Sequence, residues 1–208
     1  MRALIAAVLV AAAPATVAAQ IDFGVRGGLA LPTDDFGSEE GERAGFAETG
    51  FTVGLEGGLG LPAAGLSGIA SVDLFVNGAE DTRLAGPGGP ITLERDGYWI
   101  VPVLAGLRYD LPATVPGLGV FAAAQLGAVF FQPGDMELSG GGGAEFDLAT
   151  GLAFAFGGGI VAFDRWELAA RYYPFGEMEI DGEATGGVLL TDLEQPVSVL
   201  GITLGIRL

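Results

Sequence analysis

Nine charged side chains stand inside otherwise apolar, alternating stretches of this chain: Asp22, Arg26, Glu56, Asp73, Arg108, Asp110, Glu167, Arg171 and Arg207. Their types limit the chemistry available. The 208 residues include no histidine, no cysteine and no lysine. Without histidine there is no Ser-His or Cys-His nucleophile and no imidazole base. Without lysine there is neither P-loop nor Schiff-base chemistry. Metal binding is left to carboxylates alone. Glu56 and Asp73 are the one pair that resembles an acid–base dyad. Arginines at similar heights make ion pairing the favoured reading, because buried charges require partners. The expectation is therefore no catalytic residue, no cofactor and no metal. Asp22, Arg26, Glu56, Asp73, Arg108, Glu167, Arg171 and Arg207 instead form an ion-pair network.

Those charges must be positioned by β-strands. From Leu200 the chain ends Leu-Gly-Ile-Thr-Leu-Gly-Ile-Arg-Leu, with the large apolar residues on one parity and Arg207 on the other. A strict period of two marks a strand with two unlike faces. The same alternation recurs over 21–31, 51–61, 69–77, 98–111, 119–131, 148–160 and 166–173, and with 197–208 this makes eight strands. All nine charges lie on the non-apolar parity. A strand at the end of the chain would leave an open edge unless it pairs, and pairing with the first strand closes a barrel. Counting along the strands places Asp22 beside Arg207 near one end. Arg26 and Glu56 fall at mid-height, as do Asp73 and Arg108, with Arg171 able to reach Glu56 across the interior.

The connections alternate long and short. The four long ones, 32–50, 78–97, 132–147 and 174–196, hold 20 of the 26 acids. The second carries Gly86-Pro87-Gly88-Gly89-Pro90, the third four successive glycines at 140–143, and neither is expected to be regular throughout. Long loops on one side and short turns on the other describe an up-and-down barrel of the outer-membrane kind. Phe23, Phe51, Trp99, Tyr109, Phe130, Trp166 and Tyr172 all have apolar-face parity near strand ends, as two interfacial girdles would.

Residues 1–19 read as a cleaved signal peptide: Arg2, an apolar run from Ala3 to Ala13 broken by Pro14, and the small residues Thr16-Val17-Ala18-Ala19. The run is too short to span a bilayer. Residues 20–208 then form one domain. A net charge of −17 argues against nucleic acid as a partner.

Parity does not say which face points inward. A soluble lipocalin-like carrier would enclose the apolar face. Its outer surface would then be Gly24, Gly28, Gly58, Gly60, Gly151, Ala153, Ala155 and Gly157, a poor solvent-facing set. In a narrow eight-stranded lumen the same small residues leave room for long polar side chains. The favoured reading is an all-β, eight-stranded, antiparallel transmembrane barrel in the outer membrane, with both termini on the periplasmic side.

The stretches Trp99-Ile-Val-Pro-Val-Leu-Ala-Gly-Leu-Arg-Tyr and Leu168-Ala-Ala-Arg-Tyr-Tyr, with the closing strand, resemble the small outer-membrane β-barrel domain family. These are the porin-family proteins shaped like OmpX and the OmpA barrel. The resemblance implies a lipid-embedded protein recognised by the outer-membrane assembly machinery through its C-terminal strand, where the final residue is ordinarily aromatic; here it is Leu208.

The expected role is structural or interactive, an anchor with a salt-bridge-plugged lumen that presents acidic extracellular loops. Narrow small-solute transport is the alternative. Asp34, Asp35, Glu39 and Glu40, or Glu177, Glu179, Asp181 and Glu183, are candidates for divalent cations, although neither series has the spacing of a calcium loop.

Overall fold

The computed structural model describes residues 21–38, 45–86, 89–139, 141–185 and 188–208. The signal-peptide expectation over 1–19 lies outside them, as do Glu39 and Glu40.

Among the described residues twelve strands form, and eight of them close the barrel. The eight are β1 (Ile21–Pro32), β2 (Gly50–Gly60), β3 (Leu66–Asn77), β6 (Tyr98–Val115), β7 (Leu118–Gln132), β10 (Ala149–Ala162), β11 (Trp166–Ala184) and β12 (Val188–Arg207). Each pairs antiparallel with its neighbour in that order, and β12 returns to β1 with Gly24 opposite Arg207 and Leu31 opposite Leu200. Closure satisfies the edges that an open sheet would expose. The β3–β6 ladder lacks two rungs, between Val72–Val103 and Phe75–Ile100, where Pro102 has no N–H to offer.

The long connections 78–97, 132–147 and 174–196, read from the sequence as loops, carry further strands, although 78–97 and 132–147 are not regular throughout, as expected. β4 (Thr82–Gly86) and β5 (Gly89–Arg95) make a hairpin, β8 (Met136–Leu138) and β9 (Gly143–Phe146) make a second, and β9 joins the upper part of β11. The sheet therefore continues beyond the barrel in the order β12-β11-β9-β8-β5-β4. Strands β11 and β12 have 19 and 20 residues, roughly twice the 9–11 that cross a bilayer. Pro174 and Pro196 do not end them. Register shifts at Pro174/Gly176 and Ile180/Gly182 absorb the irregularity, and Gly176 takes φ 78°.

The apolar parity faces outward. Phe23, Leu126 and Leu204 are 61, 64 and 56 % exposed, within a belt that runs round every barrel strand. A lipocalin buries this face; this barrel displays it.

Candidate functional site: the lumen and its two layers

Strand alternation aims the charges into the lumen, and small residues opposite them give the side chains room. Arg26 is in register with Gly54. A Cβ at Gly54 would collide with the Asp73 carboxylate and lie 3.2 Å from Arg26 Nε. With hydrogen alone at that position, Arg26 makes a two-point contact with Asp73: Nε to Oδ1 at 2.9 Å and Nη2 to Oδ2 at 2.7 Å. Its Nη1 donates to Glu56 Oε2 at 2.6 Å.

Glu56 is the first hub. Besides Arg26 it meets Arg171 Nη1 at 2.6 Å and Arg108 Nη1 at 3.8 Å. Glu167 is the second, with Arg108 Nη1 at 2.7 Å, Arg207 Nη2 at 3.4 Å and Arg171 Nη2 at 3.6 Å. Asp110 completes the layer through Arg108 Nε at 3.1 Å and Arg207 Nη2 at 3.7 Å. Four arginines thus meet four carboxylates in one connected, charge-balanced set. The Arg108 guanidinium also lies over the Phe121 ring, 3.4 Å from its centroid.

Two expected neighbours differ. Arg207 turns to Glu167 and Asp110, whereas Asp22 makes no ion pair among the described residues. Asp73 pairs with Arg26 instead of sharing a level with Arg108, because Arg108 is in register with Ser67, six residues below Asp73 along β3. Below the ionic layer a cavity of about 70 Å³ opens toward the short-turn end, with Asp22, Asp110 and Arg207 at its mouth and Arg26, Glu56, Arg108 and Glu167 above.

Above the ionic layer the interior becomes apolar, a feature the parity reading missed. Gln125 bridges upward, donating to Ser71 Oγ at 3.0 Å and accepting from Arg171 at 3.3 Å. Tyr173 donates to Asp73 Oδ2 at 3.4 Å and packs its ring edge-on against Phe75, centroids 4.8 Å apart. Beyond lie Ile100, Val129, Phe131, Phe175, Met178, Val197 and Val199, all buried. The same inward parity that carries charges near the short-turn end carries aromatic and aliphatic groups near the long-loop end. This signal was present in Phe75, Ile100 and Phe131.

The interior is finished by a residue outside the strands. Phe36, on a 3-10 turn over Asp34–Gly37, is fully buried and packs edge-on against Tyr98 at 5.2 Å and Phe131 at 6.2 Å. Around it Tyr98 donates to the Gly45 carbonyl at 2.5 Å, and Tyr172 donates to Asp34 Oδ2 at 2.7 Å. The Tyr172 hydroxyl, with help from Ser198 and Thr33, holds the Asp34 carboxyl below the usual carboxylate range.

Of the expected girdle, Phe23, Tyr109 and Trp166 lie outward toward the short-turn end, Phe51, Trp99 and Phe130 outward toward the other, and Tyr172 is half-buried beneath Asp34. The acidic series Glu177, Glu179, Asp181 and Glu183 is exposed on the projecting part of β11. Among the described residues no three acids are grouped to hold a metal ion. Glutamates instead face one another across strands, Glu179 opposite Glu194, Glu183 opposite Glu145 and Glu94 opposite Glu137. Like charges so placed are unfavourable.

No family model and no curated sequence matches the chain. Among solved structures it is similar to Neisserial surface protein A, at 15 % identity over 90 % of this chain and 96 % of that one, TM-score 0.52. It is similar also to the outer-membrane protein OprG from Pseudomonas aeruginosa, at 14 % identity over 90 % and 95 %, TM-score 0.54. The fold is that of these eight-stranded barrels.

Proposed function

We propose that this is an exported outer-membrane protein, cleaved after Ala19, whose barrel is an anchor and not a pore. The observation that carries the reading is the sorting of side chains: apolar groups face outward round the whole barrel, while the charges of the crossing strands face inward. Lipid rewards the first arrangement and penalises charges facing it by a few kcal/mol each near mid-bilayer. The chain delivers itself to that bilayer through its C-terminal strand, recognised by the assembly machinery despite the terminal Leu208.

The role is presentation. The short-turn end faces the periplasm and the β4, β5, β8, β9, β11 and β12 platform faces outward, carrying an acidic array that includes Glu94, Glu137, Glu145, Glu179, Glu183 and Glu194. A connected ionic layer topped by an aromatic layer fills much of the described interior with large side chains, which supports an anchor over a narrow porin. The absence of histidine, lysine and cysteine supports a non-enzymatic role.

Gel migration before and after boiling tests the placement. Membrane-extracted protein should shift on boiling and begin at Gln20. Solubility without detergent, with no shift, would overturn it. In planar bilayers the purified barrel should give no sustained conductance; a stable open current would replace the anchor reading with the porin one.

A further inference from the structure

We infer that the chamber beneath the ionic layer is a blind, hydrated vestibule that takes a small monovalent cation from the short-turn end. Two unsatisfied groups define it. Arg108 lines the chamber and is 3 % exposed, and its Nη2 makes no hydrogen bond among the described residues, although Nε and Nη1 are bonded to Asp110 and Glu167. Asp22 stands at the mouth without an ion pair among the described residues, because Arg207 beside it is committed to Glu167 and Asp110. A buried donor without an acceptor carries a desolvation cost. An unpaired carboxylate in a cleft with low-dielectric walls draws positive charge.

Together the two groups select the guest. The ionic layer is balanced, four arginines against four carboxylates, so Asp22 leaves one negative charge in excess. An anion would answer Arg108 but face Asp22, Asp110, Glu56 and Glu167 in the same cavity. A bare divalent ion lacks ligands, since among the described residues no three acids are grouped to hold a metal. A hydrated monovalent cation answers both: its charge lies by Asp22 and its water accepts from Arg108. The cavity of about 70 Å³ is polar and several times the space one water needs, about 10–15 Å³. Further ascent is opposed by Arg26, Arg108 and Arg171, which bind Glu56 between them, and then by the apolar layer. That blind end rests on the anchor reading; the guest does not.

The chain has no cysteine, so single thiols can report on both sides of the layer. Ser67→Cys places one in the chamber, at a position in register with Arg108. Thr52→Cys places one above the layer, at a buried position in register with Phe75. Gly60→Cys, at an open position near the short-turn end of β2, is the surface reference. Folded protein, verified by heat-modifiable migration, is treated with a cationic aminoethyl or an anionic sulfonatoethyl methanethiosulfonate. Ser67→Cys should favour the cationic reagent about tenfold more than Gly60→Cys does, and Asp22→Asn should remove most of that preference. Sodium should slow the cationic reagent at Ser67→Cys about threefold relative to N-methylglucamine at equal ionic strength, because the bulky ion only screens. Thr52→Cys should stay inert. An inert Ser67→Cys, the same preference at both thiols or after Asp22→Asn, or equal rates in the two salts overturns the cation vestibule and leaves the anchor standing. A Thr52→Cys that reacts as fast as Ser67→Cys overturns the blind end and the anchor with it.

Discussion

Arg171 reaches Glu56 across the lumen, with Nη1 2.6 Å from Oε2, and that oxygen is shared with Arg26 Nη1 at the same distance. A single carboxylate thus ties β11 to β1 and β2, which are not adjacent to it in the barrel order. Half-buried and paired with three arginines, it is the group whose loss leaves most charge uncompensated. Glu56→Gln should destabilise the barrel by about 3–5 kcal/mol. Arg171→Gln should be costly too, and the double variant should cost clearly less than their sum, with a coupling of about 1–3 kcal/mol. Urea unfolding in lipid vesicles measures both, through midpoints at unchanged slope. Additive effects would mean that the contact is not formed.

Gly54 is required because Asp73 and Arg26 meet over it. Gly54→Ala should displace the Asp73 carboxylate and cost several kcal/mol, on the scale of breaking a buried pair. Gly60 has open space where a Cβ would stand, so Gly60→Ala should change stability by less than about 0.5 kcal/mol. Equal effects of the two substitutions in the same assay would remove the steric account.

The belt predicts opposite outcomes for adjacent residues of β12. Leu204 is exposed and Thr203 buried. Leu204→Arg should cost roughly 2–4 kcal/mol in a bilayer, and Leu204→Ile little, if that face meets acyl chains near the midplane. A tolerated arginine at 204 would argue that the face meets water.

The projecting sheet should gain from losing charge. Glu179 and Glu194 are directly opposed, so Glu194→Gln should stabilise the β11–β12 extension by a few tenths of a kcal/mol up to about 1 kcal/mol. Slower proteolysis of that hairpin would report the gain. The gain should shrink in high salt, where exposed charges are screened. A destabilised hairpin would mean that the two carboxylates share a cation.

The barrel was legible because its period-two pattern is local: a residue's parity is set by its neighbours in the chain, and the charges kept to one parity throughout. Irregularity was harder to read. Pro174, Gly176 and Pro196 look like strand breakers, yet β-bulges carry β11 and β12 past them, since a proline costs a rung only where its missing N–H was needed. Several acids read as lying in loops, among them Glu137, Glu145, Glu179 and Glu194, sit on a continuation of the sheet.

The pairing inside the lumen was only partly legible. Arg26 with Glu56, and Arg171 across to Glu56, follow from height. Arg207 with Glu167 and Asp110, and Asp73 with Arg26, depend on the stagger of strands that are distant in sequence, where a shift of a few residues changes every partner.

By itself the amino-acid sequence determined the number of barrel strands, the alternation of long and short connections, and which side chains share a face, because these follow from pleat geometry along one segment. Tertiary structure alone decided the remaining arginine–carboxylate partners, that the upper lumen is dry, and that Phe36 fills it. Each of those is set by closure of the cylinder, which fixes register and brings a loop ring over the mouth, and no local pattern encodes it.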